Sequence, residues 1–218
     1  ACLVLGYFFI RRVFVNDYLN HQCGADIRLV LSFLLGEIIF ANLWLLLGLM
    51  GWLGFSAVSG IVLFATVLLS FFCLSDIWNN IRSILCDICN LFKQFSLTHR
   101  ILFTSTLLLF FIYGLSAFLQ FPSGDARAFY MVYPRLISFC GEIKPQPNYC
   151  NFCQIGLFGE AHYAALMAIS GTYSAKFFVW FSGAATAVLI VNLCSFCGNK
   201  TMGKITGLII MLTSSVFS

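Results

Sequence analysis

Glu160 and His162 stand in "IGLFGEAHYAALMAI", an otherwise apolar run. An ionisable side chain at membrane depth is expensive, so it turns to a cavity or a polar partner and marks a candidate functional site. Glu37, in the middle of "SFLLGEIIFANLW", falls under the same rule. There a protonated carboxyl hydrogen-bonded to a partner such as Asn42 would act as structural glue, the reading preferred for this residue. A second group gathers in "GDARAFYMVYP". Asp125 follows Ser123, a residue type suited to a helix N-cap. In the first turn the helix dipole favours an anion by roughly 0.3–1 kcal/mol. Asp125 then stays ionised, either as a proton acceptor or metal contact, or only as a capping carboxylate. Arg127, Arg135 and Lys144 follow on the same stretch, Arg offering a bidentate fork to phosphate and Lys a point charge. Anchoring to lipid headgroups is the other use of such residues.

Three Cys-x-x-Cys pairs occur among ten cysteines: Cys86/Cys89, Cys150/Cys153 and Cys194/Cys197. Two such pairs in one compact domain would suggest zinc. These are far apart in sequence, and alternation of spans puts Cys86/Cys89 on the opposite membrane side from the others, which disfavours a shared ion. Cys150/Cys153, with Cys140 nearby, suits a disulfide in an oxidising compartment. The remaining cysteines read as small, soft packing residues. No Walker loop, dinucleotide-binding glycine pattern, GxSxG or HExxH is present.

The elements that must hold these residues are membrane helices. The chain of 218 residues is 61% hydrophobic and 9% charged with a mean hydropathy of +0.94, against a charged fraction of about 25% in soluble domains. The net charge of +4 comes without a basic block, so it argues for topology signals at membrane interfaces and for no nucleic-acid partner. A span needs about 20 apolar residues, and segments 27–50, 52–74, 100–121, 155–170 and 177–197 meet or approach that length. Residues 1–10 read as a truncated first span, since Arg11 and Arg12 follow the apolar run where a secretory signal would have basic residues ahead of it. A seventh segment starts near 205. Both ends look cut, so the chain reads as a fragment or processed product. The expected fold is therefore all-α: a polytopic transmembrane helix bundle of about six to seven spans, in an integral membrane protein. Residues 1–99 form the N-terminal spans, and residues 100–218 a second part with the large outer loop 122–154.

Placing Arg11, Arg12 and Arg28 inside puts Arg82, Lys93, Arg100 and Lys176 there too, seven of the twelve basic residues. Lys200 and Lys204 fall outside in this arrangement. Segment 75–99 has apolar residues at helical spacing between Asp, Asn and Lys, and is expected to lie flat on the cytoplasmic surface. All four prolines (Pro122, Pro134, Pro145, Pro147) fall within the outer loop. An interfacial helix is expected from Ser123 to Cys140 with Gly141 closing it, Phe129, Val132, Leu136 and Phe139 facing lipid or core. "EIKPQPNYC" reads as an extended crossing loop.

The stretch "GDARAFYMVYPRLI", followed by "CQIGLFGEAHYAALMAI" and "AKFFVW", resembles the first outer loop of polytopic bacterial membrane glycosyltransferases of the GT-C superfamily, distantly similar to protein O-mannosyltransferases and lipid A aminoarabinose transferases. The resemblance covers roughly 100–195. It implies an enzyme of the bacterial inner (plasma) membrane that moves a sugar from a polyprenyl-phosphate donor to an acceptor hydroxyl of unknown identity at the outer face. The family's acidic loop residue, the proposed general base, falls on Asp125. Arg127, Arg135 and Lys144 become candidates for offsetting charge on the departing lipid phosphate. Tyr130, Glu160 and His162 complete the substrate-binding candidates; Glu160 and His162, which match the family's G-E-x-H, would orient the acceptor, hold a divalent metal or shape the loop. No cofactor is implied beyond that metal. The later helices that help such enzymes bind donor and acceptor are absent from these residues, so this chain alone is expected to be inactive. Cys150/Cys153 departs from the family pattern. Two other function classes compete: a membrane thiol oxidoreductase using its CxxC pairs, and a transporter or assembly subunit in which Glu37 and Glu160 line a pathway.

Overall fold

A computed structural model describes residues 1–13, 24–119, 131–145 and 157–196. They form seven helices and no strand: α1 (Cys2–Val13), α2 (Ala25–Leu49), α3 (Phe55–Gln94), α4 (Leu97–Leu119), α5 (Val132–Cys140), α6 (Leu157–Ser170) and α7 (Thr172–Phe196). The all-α bundle expected from composition is what forms. Four helices among the described residues are long and apolar enough to cross a membrane: Ala25–Leu49, Phe55–Gln94, Leu97–Ser116 and Thr172–Ile190. The expected count of six to seven spans is not reached by these residues. α1 has 12 residues and α6 has 14, lengths of about 18 and 21 Å at 1.5 Å per residue, short of a hydrocarbon core of about 30 Å. The segment from 205 lies outside the described residues.

α2 organises one half of the bundle through an i, i+4 stripe: Ser32, Gly36, Phe40, Trp44 and Gly48 are all buried. Side chains four apart share one helix face, so the stripe is continuous. Its small members let α1 approach backbone to backbone. A Cβ on Gly6 would lie 1.7 Å from the Ser32 carbonyl oxygen, and one on Gly36 would lie 1.8 Å from that of Cys2. Small residues at such a crossing are the membrane solution for close packing, because lipid supplies no hydrophobic drive between helices. The larger members, Phe40 and Trp44, stack with ring centroids 5.2 Å apart.

α2 and α3 are joined by a tight turn in which Gly51 takes a φ of +76°, a left-handed conformation that only glycine adopts without strain. α3 then runs unbroken to Gln94, so residues 75–94 are its second half. The separate surface helix expected over 75–99 does not form. The physical reason is an absence of breakers: between residues 61 and 94 there is neither Gly nor Pro, and the Asp and Asn residues there do not halt a helix already propagating. The chain breaks at 95–96. There Ser96 caps α4, its Oγ accepting the His99 backbone N–H at 3.4 Å. α4 packs on α7 where Gly114 leaves room for the Trp180 indole, and Phe110 stacks on that indole at 4.6 Å.

Pro134 does different work from kinking. Pro134 stands in the first turn of α5, where backbone N–H groups have no intrahelical acceptor to lose. Gly141 closes α5 with a φ of +73°, as the sequence predicts; the expected start at Ser123, with Phe129, lies outside the described residues. The buried face of α5 is Tyr133, Pro134 and Ile137, while Val132 and Leu136 are half-buried and Phe139 is exposed. Tyr133 and Ile137 join Phe40, Trp44, Leu53, Val58 and the three alanines of α6, Ala161, Ala164 and Ala165, in one apolar core. Beyond α5 the chain docks on the α2–α3 turn. The Leu53 N–H donates to the Gly141 carbonyl at 2.8 Å and the Ile143 N–H to the Gly48 carbonyl at 2.9 Å. The α2–α3 turn and the loop after α5 therefore share one side, as alternation of the spans requires.

Candidate functional site

α6 and α7 make a helical hairpin on Gly171, which has a φ of +64°. Ser174 Oγ tightens the turn, its one hydroxyl hydrogen shared between the carbonyls of Leu166 and Gly171. α5 lies against this turn, and between them opens a groove of about 1130 Å³. One wall is Val132, Arg135, Leu136 and Phe139 of α5; the other is the end of α6 and start of α7, with Met167, Ser170, Thr172 and Tyr173. The groove is largely apolar, with hydroxyls at the turn and one guanidinium at its edge. Such a surface offers apolar contact along Leu136, Phe139 and Met167 and a cation at Arg135.

Arg135 is exposed, and no described carboxylate lies within ion-pairing distance of it. α5 holds it in place through the buried Tyr133 and Ile137 on the opposite side of the same two turns. Lys144, expected beside it as a second phosphate ligand, does not line this groove. It forms an ion pair with Glu142, and its carbonyl accepts the Tyr133 hydroxyl at 3.2 Å. Lys144 thus tacks the loop to the core. Asp125, Arg127 and Tyr130 lie outside the described residues, as do Cys150 and Cys153.

Glu160 and His162 belong to the far end of α6. His162 is 4% exposed, its ring 4.5 Å from that of Phe178 on α7, which in turn lies 5.9 Å from Phe33 on α2. Eight residues separate His162 from the groove residue Ser170, about 12 Å along the helix axis. Neither His162 nor Glu160 lines the groove. The two also diverge from each other, because residues two apart on a helix point to different faces. Both ring nitrogens of His162 and Oε2 of Glu160 are buried without a hydrogen-bond partner among the described residues. Among the described residues no three His, Cys, Asp or Glu side chains cluster as a metal would require. Glu37 is half-buried and within electrostatic range of the Tyr163 hydroxyl. The expected partner Asn42 is turned away, its Nδ2 donating to the Ile38 carbonyl of its own helix at 2.8 Å.

Cys86 and Cys89 are exposed free thiols one turn apart on α3. What sequence reasoning missed is the second wall of the groove. "SGTYS" at 170–174 carried the signal, a Gly-centred run of small hydroxylated residues that marks a turn; it reads as a plain link until α5 is seen beside it. Comparison with family models, with curated proteins and with solved structures finds no match for this chain.

Proposed function

We propose that this chain is part of a bacterial inner-membrane glycosyltransferase of the GT-C type, moving a sugar from a polyprenyl-phosphate to an acceptor hydroxyl. The observation that carries the reading is the groove between α5 and the α6–α7 turn, whose apolar walls and single edge guanidinium match an isoprenoid phosphate. Asp125, six residues ahead of the first groove residue Met131, is the general base. It takes the proton of the acceptor hydroxyl as that oxygen bonds to the anomeric carbon. The carbon–oxygen bond to phosphate breaks, and the electron pair leaves on the lipid phosphate, whose charge Arg135 offsets. Arg127 and Tyr130 belong to the same loop and contact donor or acceptor. Mounting Arg135 on a helix fixed by Tyr133, Ile137 and the Gly141 carbonyl gives the rigidity such a contact needs.

In the complete enzyme, supplied with polyprenyl-phosphate sugars, Asp125→Asn is expected to lower kcat by about 100-fold or more while membrane insertion is unchanged. Arg135→Gln is expected to lower kcat, since the charge it offsets grows as the phosphate departs, and to raise KM for the donor. Undiminished transfer by Asp125→Asn would overturn the proposal.

A further inference from the structure

We draw no further inference here: the strongest candidate, the apolar stripe of Trp78, Ile81, Leu85, Ile88 and Phe92 along the second half of α3, exposed at Trp78, Leu85 and Ile88, is an unpartnered helix face, and nothing in the structure shows whether lipid, another part of this chain or a second copy covers it.

Discussion

His162 holds two ring nitrogens in an apolar setting with no hydrogen-bond partner among the described residues, its ring packed on Phe178. A buried polar group without a partner costs free energy that a ring of like shape would not. If packing were its whole purpose, phenylalanine would serve better. His162→Phe is therefore expected to leave thermal stability in detergent unchanged or raised, while His162→Ala opens a cavity and costs on the order of 2 kcal/mol. Melting curves of the two variants measure this. A drop in transfer by a fully stable His162→Phe would mark the imidazole as a working group, one acting about 12 Å along α6 from the groove. "GEAH" made both Glu160 and His162 legible as costly residues. Their divergence onto different faces was legible too, in the i, i+2 spacing, whereas the ring they meet was not, because Phe178 belongs to another helix.

At the scale of elements, the loop after α5 is the joint on which the groove depends. Gly141 closes α5 in a left-handed conformation, and its carbonyl receives the Leu53 N–H. Gly141→Ala is expected to cost about 1 kcal/mol from backbone strain and to loosen α5, seen as faster hydrogen exchange at Leu53 and Ile143. Unchanged exchange at both amides would show that the docking does not need the glycine conformation. The end of α5 was readable from "SFCG", since a glycine after a periodic apolar run is a stop signal. The docking partner was not readable, since the two hydrogen bonds join residues 88 and 95 positions apart and use backbone groups common to both turns. α3 is the converse case. Its polar second half suggested a new element, yet the helix persists because nothing in residues 61–94 stops it.

For the whole molecule, the decisive relation is that the α2–α3 turn and the loop after α5 share a side, with a cavity lined by Arg11, Arg12 and Arg28 at the other end of α2 and α3. Labelling with a membrane-impermeant maleimide should therefore modify Cys140 and a cysteine placed at Trp52 from one side, and Cys86 from the other; all three native positions or their surroundings are exposed. Labelling of Cys140 and Trp52→Cys from opposite sides would contradict the packing. The exposed apolar residues of α3 and α4, such as Phe64, Phe71, Leu108 and Leu115, fit lipid contact and do not require a protein partner.

Composition and apolar run length determined by themselves that this is a membrane helix bundle, because a bilayer forces every backbone polar group to be satisfied within its own helix. Local spacing likewise determined the α5 terminus and the costly residues of α6. Which residues meet was decided only in three dimensions. Arg135 and Lys144 look alike on one loop, yet one edges a groove and the other is tied to Glu142. Arg11, Arg12, Arg28 and Asp76 converge on a cavity from three helices. Such convergence is set by side-chain packing between helices, and in particular by the glycines that let α1 approach α2, which no pattern within a single helix encodes.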